Sequence, residues 1–159
     1  MRYQFIDKIK QIEIGKQIII VKNVTITEDY FEEHFIGYPV MPGALQIETI
    51  VQACSALIEI SSQYKLFSIL LMVEKMKFRK MVHPGDQLVV TGTVLSQHSE
   101  SALFDAKIEV DGKVVTAGQL MVGTFSVENS KYVGVMKALE THFNFLLQNA
   151  IIIDKKLDL

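Results

Sequence analysis

The chain has 159 residues, enough for one domain with a hydrophobic core and short for two. Hydrophobic residues make up 49% and charged residues 21%, which excludes the compositions that stay disordered. A formal net charge of -2 excludes any general attraction to nucleic acid or anionic lipid, so neither nucleic acid nor membrane is expected as a partner.

Cys54 is the only cysteine and lies in an apolar run. That leaves no internal disulfide framework and no CxxC metal or redox motif, and it suits a reducing compartment. The opening MRYQFIDKIK has no long apolar core, and no run approaches the roughly 18 residues needed to span a bilayer. A soluble cytoplasmic protein is expected.

The first clear element is QIIIVKNVTI, from Gln17 to Ile26. Its β-branched residues crowd a helix and fit a pleated surface, so it reads as a strand. A loop, TEDYFEEHFIGYPVMPG, follows. From Ala44 to about Ser61 the chain runs eighteen residues without Gly or Pro, a length that favours helix. Beyond it lie strand-like runs, KLFSILLMVEKMKFRKMV, DQLVVTGTVL, ALFDAKIEV and KVVTAGQLMVGTFSV. Asp111-Gly112 between the last two is a hairpin signal, because a type I′ turn needs positive φ at both central positions. Five or six mostly antiparallel strands are predicted. After Val127, VMKALETHFNFLLQNAIII reads as a second amphipathic helix with an apolar tail, docked on the sheet.

On the long helix Glu48, Gln52, Ser55 and Glu59 fall at i, i+4, i+7 and i+11, forming one narrow polar stripe. Taken alone, an ordinary solvent face explains it. Apolar residues from Leu45 to Ile60 cover the remaining circumference, so a sheet is expected to curl around this helix. The predicted class is α+β: a curved, mostly antiparallel sheet wrapped around one long central helix, the hot-dog arrangement, with an extra C-terminal helix. The predicted organisation is one domain over residues 1–127 with an extension, 128–159, packed on it.

Chemistry concentrates in HFIGYPVMPGALQIE, residues 34–48. His34 alone is more simply a packed histidine, and Glu48 alone is explained by a helix dipole. The residues between them change that reading. Pro39 and Pro42 fix φ, while Gly37 and Gly43 allow close approach or unusual dihedrals. Pro42-Gly43 immediately precedes the helix, where unpaired N–H groups carry partial positive charge. The segment thus offers a candidate base, an oxyanion donor and a candidate acid, a set suited to β-elimination beside a thioester. By itself it identifies no substrate.

This segment resembles the active-site motif of the 3-hydroxyacyl-acyl-carrier-protein dehydratases of the FabA/FabZ type, in which His-Phe-Pro-Gly-x-Pro-Val-Met-Pro-Gly leads into a helix bearing a catalytic carboxylate. The fourteen-residue spacing from His34 to Glu48 matches. The resemblance runs from about Tyr3 to Val127, through IEIGKQIIIVKNVTI, VEKMKFRKMVHPGDQLVV and VDGKVVTAGQLMV. Glutamate at position 48 is similar to the FabZ branch, which implies dehydration without isomerisation of the double bond.

Carried over, the resemblance implies that His34 takes the α-proton of a (3R)-3-hydroxyacyl thioester. Glu48 then helps expel the C3 hydroxyl as water, and the Gly43 N–H binds the thioester carbonyl. Phe35, Gly37, Pro42, Gln52 and Phe78 are implied along the substrate, Gln52 as a partner of the carboxylate and Phe78 in the acyl tunnel. His34 and Glu48 would come from opposite subunits of a homodimer or trimer of dimers, with Glu48 buried at a subunit interface. The partner implied is acyl-carrier protein bearing a phosphopantetheine thioester, and no metal or organic cofactor is implied. Lys75, Lys77 and Arg79, expected on one strand face, would dock the carrier.

Two positions depart from the pattern: Ile36 stands where proline is common and Glu33 where glycine is frequent. Glu33 reads as part of the acidic run Glu28, Asp29, Glu32, Glu33. His83, His98 and His142 read as structural or solvent-exposed. An acyl thioesterase on the same fold, and a non-catalytic acyl-binding or scaffolding subunit, are the alternative functions.

Overall fold

The computed structural model describes residues 3–32, 34–35, 37–127 and 133–154. Strands β1 (Lys8–Glu13) and β2 (Gln17–Asn23) form a hairpin, and helix α1 (Gly43–Ser61) follows the loop. Then come β3 (Leu66–Phe78), β4 (Gln87–Gln97), β5 (Ser101–Val110), β6 (Lys113–Ser126), helix α2 (Val133–Leu146) and β7 (Ile151–Ile153). The sheet order is β3-β6-β5-β4-β2-β1-β7.

Among the described residues seven strands form where five or six are predicted. The run read as a strand to Ile26 stops at Asn23, because Glu28 N–H donates to Thr25 O in a turn, and a separate β1 precedes it. The apolar tail that follows the second helix forms β7, which pairs in parallel with β1 from Gln11↔Ile151 to Glu13↔Ile153. Ile14 N–H also donates to Ile153 O at 2.9 Å, so this short strand caps an otherwise open edge. The β5–β6 turn follows its residues: Asp111 has φ 49° and Gly112 φ 72°.

Helix α1 lies against β2, β3, β4, β5 and β6. Ile50, Cys54 and Leu57, on one helical face, are fully buried in a cluster with Ile18, Val90, Phe104 and Ile108. Each such aliphatic or aromatic side chain contributes about 1.5–3 kcal/mol on burial. Against the expectation that no run reaches that length, α1 is by size and composition apolar enough to cross a membrane; 56% of that window is buried inside the protein.

Two irregularities in β3 matter downstream. Its pairing with β6 shifts register between Leu70 and Met72, and again between Glu74 and Lys77. At the second bulge Lys75 adopts φ 51°, and the Met76 backbone presses on Gly118, where an added Cβ would lie 2.7 Å from Met76 Cα. Only glycine fits there. The bulge resets the two-residue alternation, so Glu74 and Lys77, not Lys75 and Lys77, share a side of the sheet, and Arg79 lies past the end of the strand. The expected single face of Lys75, Lys77 and Arg79 is therefore not formed, although all three are exposed.

Candidate active site

The loop before α1 is pinned at three successive residues. The His83 ring Nδ1 bonds Pro39 O at 3.0 Å, the His34 ring Nδ1 bonds Val40 O at 2.8 Å, and Met41 N–H donates to Val82 O at 2.8 Å. Gln46, buried on α1, donates to Met41 O and accepts from the Thr116 hydroxyl, tying the loop to β6. His83 thus has a structural part as a staple. Gly37 adopts φ 81°, within the turn closed by Tyr38 N–H donating to Phe35 O. Glu33 and Ile36, the two departures from the motif, lie outside the described residues.

The bond to Val40 sets the chemistry of His34. A carbonyl only accepts, so Nδ1 carries the hydrogen and the neutral ring keeps its lone pair on Nε2. The ring lies 4.3 Å, centroid to centroid, from Phe35, and is half-buried. His34, Phe35, Gly43, Phe78 and Arg79 line one cavity of about 430 Å³.

Helix α1 begins at Gly43 with Pro42 as its N-cap, in extended conformation and without a side-chain cap. The first backbone N–H groups bonded to Pro42 O are those of Leu45 and Gln46, so the donors of the opening turn point out of the helix. Phe78 packs over this start: a Cβ on Gly43 would meet its ring at 3.0 Å. Phe78 is nonetheless 50% exposed, a core-type side chain left open beside His34.

Glu48 lies one turn further on, half-buried. Gln52 Nε2 donates to Glu48 Oε1 at 2.9 Å, and Gln52 in turn bonds the N-terminal segment, accepting Phe5 N–H at 2.9 Å and donating to Tyr3 O at 3.3 Å. Within one chain Glu48 does not share the His34 cavity. It lines a second one, of about 380 Å³, between the polar stripe of α1, the N-terminal segment and α2. Among the described residues β3 is the outermost strand at one end of the sheet, and it exposes Ile69, Leu70, Leu71 and Met72.

The far end of the stripe is not a solvent face. Glu59 is 3% exposed and accepts from Ser68, from the hydroxyl at 3.0 Å and the N–H at 3.4 Å. Burial pushes its carboxyl up from 4.5 to about 7, against the lowering effect of the Ser68 bonds. His142 and Phe143 of α2 line the same cavity. The sequence marked Glu59 only as polar at helical spacing, and gave no signal that Ser68 or α2 would meet it. Among the described residues no group of three or more His, Cys, Asp or Glu side chains is placed to hold a metal ion.

A helix enclosed by a mostly antiparallel sheet, with a histidine loop at the helix start, defines a hot-dog protein. The chain matches the family model described as FabA-like domain over residues 1–119, and it belongs to that family. It is 39% identical over 131 residues to the 3-hydroxyacyl-[acyl-carrier-protein] dehydratase FabZ of Streptococcus pneumoniae (strain Hungary19A-6), covering 80% of this chain and 91% of that protein. To the FabZ of Streptococcus mutans serotype c it is 38% identical over 126 residues, covering 78% and 86%.

Among solved structures it is similar to the dehydratase heterocomplex ApeI:P from Xenorhabdus doucetiae, with a TM-score of 0.64 and 14% identity over 86% of this chain and 90% of that one. The acetyl-CoA-bound smu.793 from Streptococcus mutans UA159 gives a TM-score of 0.59 and 17% identity over 75% and 88%. At these identities the likeness concerns the fold alone.

Proposed function

We propose that this chain is a 3-hydroxyacyl-[acyl-carrier-protein] dehydratase of fatty-acid or related acyl-chain biosynthesis, a hydro-lyase forming a trans-2-enoyl thioester. The observation that carries the reading is identity of 39% spread over 91% of a protein of that name, joined to a His34 ring whose free lone pair is on Nε2.

In this reading His34 Nε2 removes the α-proton of the (3R)-3-hydroxyacyl thioester. The Gly43 N–H, at the positive end of α1, stabilises the enolate-like oxygen. Glu48, held by Gln52, delivers a proton to the C3 hydroxyl; the C–O bond breaks, water leaves and the C2–C3 double bond forms. The proton on His34 returns to Glu48 through solvent, restoring both groups. Phe35, Gly37, Pro42 and Phe78 shape the entrance. Because His34 and Glu48 line different cavities of one chain, a second copy supplies the missing partner, and the exposed apolar edge of β3 is a surface on which copies pair.

The substrate is carried on phosphopantetheine by an acidic carrier protein, attracted to the exposed Lys75, Lys77 and Arg79, of which Arg79 also lines the His34 cavity. A cytoplasmic location accords with the lone buried Cys54. Residues 1–127 form the dehydratase domain. Of the extension 128–159, the described residues 133–154 pack on it, with α2 on α1 and β7 beside β1.

Incubation with a 3-hydroxyacyl thioester tests the reading. Enoyl absorbance without free thiol is the expected result; free thiol would instead mark a thioesterase, and carrier binding without turnover a scaffolding subunit.

A further inference from the structure

The cavity beside Glu48 continues well past it. One wall is the polar stripe of α1 from Glu48 through Gln52 and Ser55 to Glu59, spanning about 16 Å of helix axis. At the Glu59 end stands Ser68 of β3, and α2 contributes Leu139, His142 and Phe143. The family match ends at residue 119, so the α2 wall belongs to this chain's own extension.

That wall is anchored. Phe143 and Leu146 are buried in the main core, and the Phe143 ring stacks on Tyr64 at 6.4 Å with the planes 15° apart. Gln63 and Tyr64, both with positive φ after α1, turn Tyr64 towards it. An acyl chain entering beside Glu48 therefore runs along a helix face and ends against ordered residues.

Glu59 gives that end its character. Both Ser68 bonds use Oε1, and among the described residues Glu59 has no cationic partner. Burial without a counter-charge favours the neutral acid, whose second oxygen has hydrogen-bonding capacity that a hydrocarbon terminus leaves unmet. His142 adds a second polar group to the same cavity. A site for an unmodified alkyl chain has no use for either.

We propose that this cavity receives the distal end of the acyl chain and that Glu59 and His142 recognise a hydroxyl or carbonyl oxygen there, so that preferred substrates are chains of limited length functionalised at the far end. The α2 residue Phe143 sets the length limit. This inference rests on the dehydratase reading for the identity of the ligand as substrate.

The experiment pairs binding with turnover so that the two readings fail separately. Calorimetry on the full chain compares two acyl-pantetheine thioethers of equal length, one ending in methyl and one in a primary hydroxyl; the matching 3-hydroxyacyl thioesters are assayed for enoyl formation. The hydroxyl-ended ligand is expected to bind about tenfold or more tightly, and Glu59→Leu to abolish that ratio. Phe143→Ala is expected to admit longer chains. His142→Leu carries the same ratio test if Glu59→Leu does not fold. Equal binding of the two ligands, or a preference that neither substitution changes, overturns the inference. A hydroxyl preference with no dehydration of either thioester sustains the cavity as a ligand site and removes the dehydratase reading. Dehydration of both at equal efficiency does the reverse.

Discussion

Gln52 donates its side-chain N–H to Glu48 Oε1 at 2.9 Å, and the other half of the same amide accepts the Phe5 backbone N–H at 2.9 Å. The second bond decides the first: only the amide oxygen can face Phe5 N–H, so the nitrogen must face Glu48. A strand-side segment forty-seven residues away in sequence thereby orients the proposed acid. A hydrogen bond of this kind contributes about 0.5–1.5 kcal/mol, so Gln52→Leu should lower kcat by about 2–10-fold with a smaller change in KM. Gln52→Glu, which can still accept from Phe5 N–H but has no amide N–H to donate to Glu48 Oε1, should lose kcat to a similar extent. Steady-state kinetics on both variants checks this; an unchanged kcat for Gln52→Leu contradicts it.

Gly43 and Phe78 offer a second test. An alanine at 43 brings its Cβ to 3.0 Å from the Phe78 ring, so the ring must move out of its place beside His34 or the helix start must shift. Gly43→Ala should reduce kcat/KM by about tenfold or more, the range expected when an oxyanion donor is displaced. Adding Phe78→Leu to Gly43→Ala should recover part of the loss, and the double-mutant cycle measures that coupling. Strictly additive effects would show that the ring contact is irrelevant.

The raised carboxyl of Glu59 makes stability depend on pH. Its value is about 7 when folded against 4.5 ordinarily, so between those values the native state binds more protons than the unfolded chain. Stability from this group is full below 4.5, falls as pH rises through that interval, and is lowest above about 7, a loss of about 3 kcal/mol at most. Glu59→Gln keeps an acceptor for Ser68 without the titration. Thermal melts across that range should show a falling Tm in the parent and a flatter profile in Glu59→Gln. Parallel profiles would contradict the assignment.

What the sequence disclosed follows local rules. The α1 segment was legible because no Gly or Pro interrupts it, and the Asp111-Gly112 hairpin because its backbone demand falls on two adjacent residues. The motif from His34 to Glu48 was legible because stiff and permissive residues mark a shaped loop. The β3 bulges were not, since the place where Lys75 and Met76 together oppose Gly118 is set by contact with β6 and leaves no mark in the alternation. For the same reason Lys75, Lys77 and Arg79 read as one face. Glu59 read as the end of a polar stripe because burial there comes from β3 and α2, far along the chain. The Ile151–Ile153 strand read only as an apolar tail because three isoleucines carry no period of their own.

The central claim is that one site takes His34 from one copy and Glu48 from another. His34→Ala and Glu48→Gln should each lower activity by at least about 10²–10⁴-fold. Unfolding the two variants together and refolding them at equal amounts then measures the claim directly. In a two-fold dimer half the assemblies are mixed, and each mixed dimer regains one intact site of two, so activity should recover to about a quarter of the parent's. If every site is built within a single chain, each chain in the mixture still lacks one of its two groups, and the mixture stays as inactive as the separate variants.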